Sequence, residues 1–409
     1  MREMMNGLGR LGLASLAAVA LSRLPGAAGQ NGFTVLHQFQ GSDGYVPNGL
    51  LLDKHGNLYG TTNLGGPADD EGVAFKIAPG GKEKVLHAFT GGSDGEDPSS
   101  ALIADKSGSL YGVTEFGGVT CSGQSGCGAV FKILPGDNDK ILYGFTDEND
   151  GGFPVGNLLG DRQGNFYGTT AYGGIGYGVA YKLAPGGTQS TLHVFQGSDG
   201  AFPNGNLIAD KAGNLYGTTL FGGNGGCGEL SEGCGTVFKL APDGTETTLM
   251  KFSSTTDVGT NPVGGLIADA NGNLYGTTEL GGYMQGCGGQ GCGVVFEITA
   301  GGNYDLLYTF QGGTDGASPA GGLIADGQGN LYGTTFDGGA DNKGVVFKLT
   351  PKGKEIVLHA FTGGSDGANP GATLITDGEG NLYGTAEYGG NPVCGGVFPG
   401  CGTVFKLKE

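Results

Sequence analysis

The heptapeptide Gly-Asn-Leu-Tyr-Gly-Thr-Thr at Gly56–Thr62 occurs seven times along the chain with small changes. Its tyrosines are Tyr59, Tyr111, Tyr167, Tyr216, Tyr275, Tyr332 and Tyr383, spaced by 52, 56, 49, 59, 57 and 51 residues. A period of about 54 residues that fills the chain means one supersecondary unit copied seven times, and units sharing a core count as one domain.

One copy shows what the unit is. Asn206–Asp210 is apolar and extended in character, and Lys211-Ala212-Gly213 is a tight turn. Asn214–Thr219 is rich in β-formers, a Gly-rich loop fills Gly222–Gly235, and Thr236–Leu240 reads as a third strand. Pro242-Asp243-Gly244 turns the chain into a fourth strand, Thr247–Phe252. Four short strands joined by turns, without helical periodicity, predict an antiparallel four-stranded sheet. Such a sheet is too small to stand alone, so the copies must bury one another's faces as a solenoid or a ring.

The chain ends choose the ring. Phe33–Phe39 matches the fourth strand of a unit, whereas Thr403–Leu407 matches a third. A closed ring lets the first segment complete the last unit. The expectation is all-β: a seven-bladed β-propeller with four antiparallel strands per blade, closed by the N-terminal strand. The 92 glycines then read as recurring turn positions rather than as low complexity.

Residues 1–29 are a separate object. Arg2 and Arg10 precede the apolar stretch Leu11–Leu21, and small residues at Gly26–Gly29 supply a cleavage site. This predicts a secretory signal peptide, a single propeller domain over 30–409, and a secreted, extracellular or periplasmic protein. No later segment is apolar enough to insert in a membrane. The eight cysteines fall in four close pairs: Cys121/Cys127, Cys227/Cys234, Cys287/Cys292 and Cys394/Cys401. Each occupies the loop between second and third strands. An even count in an exported chain predicts disulfides, and none has the CxxC spacing or neighbouring histidine of a zinc site. The net charge of −18, with no basic patch, argues against nucleic acid as a partner.

The ordered motifs Gly-Asn-Leu-Tyr-Gly-Thr-Thr, Gly-Gly, Gly-Val-Val-Phe-Lys-Leu, Leu-His-Ala-Phe and Asp-Gly-x-x-Pro resemble the tandem repeat of bacterial GloVer-type exported proteins over nearly all of Phe33–Leu407. The resemblance implies an exported β-propeller and no established activity. Members often carry a C-terminal surface anchor; here Glu409 follows directly on a strand, so free secretion is the expectation.

Function should lie in the loops on the face shared by the fourth-to-first and second-to-third connections. One candidate is the set Asp43, Asp94, Asp150, Asp199, Asp315 and Asp366, with Asp257 in the remaining copy. At the inner ends of blades these would form an oxygen-rich ring suited to Ca²⁺. Asp-Gly is also a common turn pair, which is the structural reading. A second set, Asp53, Asp105, Asp161, Asp210, Asp269, Asp326 and Asp377, begins hairpin turns on the opposite face. The third candidate is Glu115, Glu279 and Glu387 at equivalent places after the second strand, beside Phe116 and Tyr388, with Tyr172 and Phe221 at the matching neighbour position elsewhere. Carboxylates beside aromatics bind sugars by accepting hydroxyl hydrogen bonds and stacking on apolar ring faces; surface variation is the alternative. Semi-buried packing at the outer edge is expected for His37, His87, His193 and His359.

No Ser/His/Asp triad, zinc signature or phosphate loop is present. Near-identical copies offer the same groups seven times, whereas catalysis needs unlike groups at one spot. The favoured reading is a monomeric, non-catalytic propeller that recognises an extracellular glycan or protein. The alternatives are a hydrolase or lyase working in the central channel, and a structural surface or matrix protein.

Overall fold

The structure, a computed structural model, describes residues 32–409 apart from 68–69, 120, 122–125, 137, 224–226, 228–232, 255–257, 284, 393 and 395–398. The expected leader and Asp257 therefore lie outside the described residues. Seven antiparallel sheets follow one another around a ring. Blade one consists of Tyr45–Leu52, Leu58–Leu64, Val73–Ile77 and Glu83–Ala88. In blades two and four the first strand is broken, as in Glu96–Pro98 and Ile103–Ala104. Blade seven is built from both ends of the chain, with Phe33–Gln38 pairing antiparallel to Thr403–Lys408. The closure expected from the sequence is thus present. Among the described residues no helix is long and apolar enough to cross a membrane.

Third strands such as Val73–Ile77 carry nearly continuous apolar runs because neighbouring blades cover both faces of a blade. The half-buried exception, Lys76, lies with its Nζ 5.3 Å from the Tyr59 ring centre. The core is therefore distributed between blades. At every seam an aromatic that ends one blade's fourth strand meets, edge to face, an aromatic of the next blade's third strand. The pairs are Phe39–Phe75, Phe89–Phe131, Phe145–Tyr181, Phe195–Phe238, Phe252–Phe296, Phe310–Phe347 and Phe361–Phe405, with centroids 5.0–5.4 Å apart. Such pairs contribute about 1 kcal/mol each beyond area burial.

A second seam device recurs seven times. The residue before each first-strand proline is Val46, Asp97, Phe153, Phe202, Asn261, Ser318 or Asn369, and all have φ between 51° and 60°. That left-handed conformation is costly for side chains such as Val and Phe. It aims the backbone N–H at the preceding blade, on the carbonyls of Cys401, Glu71, Cys127, Tyr177, Cys234, Cys292 and Lys343 respectively. Four of these acceptors belong to the second cysteine of a pair. All eight cysteines form the four expected disulfides.

Candidate functional site

The two loop sets share one face, as the sequence predicts. Second-to-third loops donate to fourth-to-first loops through Gly66 N to Gly41 O, Gly118 N to Gly92 O, Gly174 N to Glu148 O and Gly390 N to Gly364 O, at 2.6–2.9 Å. First strands line the axis and fourth strands form the perimeter.

The aspartates of the Asp-Gly loops do not meet at the axis. Each is held by its own blade's outermost strand. Asp43 lies 2.9 Å from His37 Nε2 and accepts from Gln40 N; Asp199 does the same with His193 and Gln196 N. Asp94 accepts from Thr90 and faces His87 at 3.4 Å. Asp150 and Asp315 accept from Tyr143 OH and Tyr308 OH, and Asp366 lies 3.2 Å from His359 Nε2. Burial alone would raise Asp199 and Asp366, but the hydrogen bonds from His193, His359 and the turn hold both below the usual carboxylate range. The expected inner ring of six carboxylates is therefore corrected to six separate turn locks at the rim. The reason is reach: the His or Tyr six or seven residues upstream captures each Asp. His37, His193 and His359 are hydrogen-bonding partners, whereas His87 is only in ion-pair range of Asp94; the histidines also pack edge-on against phenylalanines, as His37 does on Phe39. Among the described residues two groups bring three ligand atoms within 4.8 Å of one another: the His37–Asp43 pair with Glu83 at the closing seam, and Glu71, Glu96 and Asp97 between blades one and two.

The aromatic candidates behave differently. Phe116, Tyr172 and Phe221 join one continuous arc over blades two to four. The chain of edge-to-face contacts runs Phe116–Phe153, Phe153–Tyr172, Tyr172–Phe202 and Phe202–Phe221, with centroids 4.9–5.7 Å apart. Phe153 and Phe202, which complete it, are two of the strained residues before proline. Sequence reasoning passed over them, although a bulky residue between Gly and Pro in the Asp-Gly loop was the available signal. Tyr388 instead pairs with Phe336 across blades six and seven at 6.5 Å.

At the axis lies a channel of about 960 Å³ that opens on the loop face. Its two walls differ. On blades five to seven it is lined by Glu279, Asp337 and Glu387, together with Phe336, Gln290 and Asn342. The candidates Glu279 and Glu387 thus share one cavity, and Asp337, not singled out beforehand, joins them; Glu115 is not part of the lining. Backbone bonds from Glu279 N to Asn261 O and from Glu387 N to Asn369 O fix the two glutamates to first strands. Burial pushes Glu387 up to about 7 and Glu115 likewise. Glu279 is raised by burial and by Asp337; Asp337 is raised by burial, partly offset by Lys343.

On blades one to four the wall carries Asn48, Asn157, Asn204 and Asn206. Asn48 donates to Pro98 O at 2.7 Å. The Oδ1 atoms of Asn157 and Asn206 accept from Ala101 N and Asn157 N, at 2.7 and 2.6 Å. Their Nδ2 donors have no partner among the described residues, and both asparagines line the channel together with the glycines Gly156, Gly264 and Gly321. The channel therefore offers hydrogen-bond donors on one side and acceptors on the other.

Comparison with known proteins supplies the family and the fold. The profile described as the Gloeobacter/Verrucomicrobia repeat matches residues 25–124, 117–288 and 282–409. A search of curated protein sequences finds no match. Among solved structures, the fold is similar to the extracellular domain of BT3049, assigned to hybrid two-component systems, from B. thetaiotaomicron, at TM-score 0.55 and 11% identity over 93% of this chain. The extracellular domain of BT4673, assigned to one-component systems of the same organism, gives TM-score 0.54 and 12% identity over 91%. This chain spans about two fifths of those proteins, 41% and 39% of their lengths.

Proposed function

We propose that this chain, which belongs to the family of the Gloeobacter/Verrucomicrobia repeat, is an exported binding propeller that holds an extracellular saccharide at the mouth of its channel. The observation that carries this reading is the two-sided chemistry of the channel. Free amide donors stand on blades three and four, and carboxyl acceptors stand on blades five to seven. A ligand whose every hydroxyl both donates and accepts satisfies both walls at once. The aromatic arc on blades two to four, outside the channel lining, is a separate apolar feature of the loop-bearing half of those blades. Export is supported by four disulfides and by the leader pattern in the sequence. The likeness to extracellular domains of two-component and one-component systems is compatible with a binding role, and binding multiple sugar units along the face fits a ring of repeated loops.

The test is titration calorimetry with a panel of oligosaccharides against the parent and an Asn157→Ala/Asn206→Ala variant. Loss of two hydrogen bonds should weaken binding by roughly tenfold to a hundredfold. Equal affinity in both proteins would remove the channel from the reading. A second reading, hydrolysis in the channel, is favoured by one observation: burial pushes Glu387 up to about 7, as a general acid requires, in a cavity that Glu279 and Asp337 also line. Turnover of chromogenic glycosides that vanishes in Glu387→Gln would support it.

A further inference from the structure

Three carboxyls line one wall of the channel, and the charge they need is missing. Among the described residues the one cation that acts on the group is Lys343, beside Asp337. Lys343 is not in the lining; its stem lies over the Gly363 backbone, 3.2 Å from where a Cβ would stand. The side chains of Glu279 and Glu387 receive no hydrogen bond from the described residues, and both are half-buried in the lining of the cavity. Glu279 is raised by burial and then by the charge of Asp337, which lines the same wall.

A half-buried carboxyl without protein donors lowers the cost of its charge in one of two ways within the site: it keeps its proton, or it meets a cation. A neutral sugar leaves the first solution in place. A ligand that carries its own positive charge replaces the proton, gains a charge-assisted hydrogen bond, and is drawn toward a protein of net charge −18. The amide wall opposite still needs hydroxyl groups, so a simple cation would use only half of the cavity.

We infer that the ligand of the channel is an amino sugar, a hexosamine with a free protonated amine. In this assignment the amine sits against Glu387, Glu279 and Asp337, and the hydroxyls lie against Asn157, Asn204 and Asn206. The inference rests on the saccharide reading above. It deepens that reading by fixing the charge of the ligand and by predicting a proton balance. On binding, the Glu387 proton leaves to solvent and the carboxylate pairs with the ligand's ammonium group; no covalent bond changes.

The experiment is calorimetry at pH 6 in two buffers of different ionisation enthalpy. The probes are a fully deacetylated glucosamine oligomer, its N-acetylated counterpart, a glucose oligomer of equal length, and spermidine. The expected result is binding of the deacetylated oligomer with release of about one proton, and affinity that rises about tenfold per pH unit from 5 to 6.5. Acetylation should weaken binding at least tenfold. Glu387→Gln should abolish proton release while the protein keeps its thermal transition, and Asp337→Asn provides a second variant should the first misfold. Equal binding of glucose and glucosamine oligomers without proton release would overturn the charge inference and leave the saccharide reading standing. Binding of spermidine with no sugar bound would overturn both, as would silence from all four probes.

Discussion

The recurring heptapeptide can be read letter by letter in blade one. Gly56 takes φ 79° to turn the hairpin. Asn57 and Tyr59 donate to Asp53 Oδ2 at 2.7 and 3.1 Å. Leu58 is core. Gly60 leaves room for Phe75, whose Cζ would stand 2.6 Å from any Cβ there, and the same contact recurs at Gly112, Gly168, Gly217, Gly276, Gly333 and Gly384. Thr61 reaches across the seam to Ser100 O, and Thr62 accepts from Val73 N. The phrase is therefore scaffold, but its tyrosine is a hydrogen-bonding cap on the hairpin aspartate as well as a packing residue. Close approach also explains Gly402, where a Cβ would lie 2.5 Å from Pro47 Cδ and 2.6 Å from Ala386 O, at φ 90°. Gly402→Ala should destabilise the protein by about 2–4 kcal/mol, whereas Gly80→Ala, with nothing within 4 Å, should be near neutral in denaturant melts. Similar midpoints for the two variants would show that the closing seam is looser than this geometry requires.

At the scale of the element, the short strands matter less than what joins them. Second-to-third loops begin on one blade and end by accepting a hydrogen bond from the next, so each loop is half of a seam. A disulfide across a loop of about seven residues contributes about 2 kcal/mol by loop entropy and holds that carbonyl in place. The strand Phe33–Gln38 does the same for the ring as a whole. Beyond its ladder with Thr403–Lys408, Phe33 stacks on His359 at 3.7 Å and on Phe405 at 5.4 Å, tying blade six to blade seven. Removing residues 33–38 should lower the thermal midpoint by about 10 °C or more, or leave protein that aggregates. An unchanged midpoint by circular dichroism would refute the closure.

For the whole molecule, acid and base act on opposite populations of carboxyls. Glu83 and Glu355 are pushed up to about 7 by burial and then by Asp43 and Asp315 across their seams; burial does the same to Glu115 and Glu387. A carboxyl raised in the fold binds its proton more tightly there than in the unfolded chain. Its contribution is full below about pH 4.5 and is lost as pH rises through 7. The hairpin aspartates run the other way. Burial alone would raise Asp53 and Asp326, but hydrogen bonds from Asn57 and Asn330, their turns and their tyrosines hold both low, so their contribution fades in strong acid. Thermal midpoints should therefore peak near pH 5 and fall toward pH 8, by about 1 kcal/mol per raised carboxyl after solvent screening. Glu83→Gln/Glu355→Gln should flatten the alkaline slope; an unchanged slope would place the ionisation elsewhere.

Periodicity, turn chemistry and strand bookkeeping are local properties of a repeated sequence, which is why the blade count, the closing strand, the cysteine pairs and the shared loop face were all legible from it. Glu279, Glu387, Phe116, Tyr172 and Phe221 were also visible, as exceptions at otherwise uniform positions. Where those exceptions converge was not visible, because convergence depends on the angle between blades rather than on spacing along the chain. The tertiary structure sent the Asp-Gly aspartates to the rim, since a His or Tyr of the outer strand lies within hydrogen-bond reach of each. It drew Asp337 into the channel with two glutamates and completed the aromatic arc with Phe153 and Phe202. The repeated sequence determined a sevenfold ring; only packing around the axis decided that its channel has an amide wall and an acidic wall, because residues far apart in sequence share a site only when the ring closes.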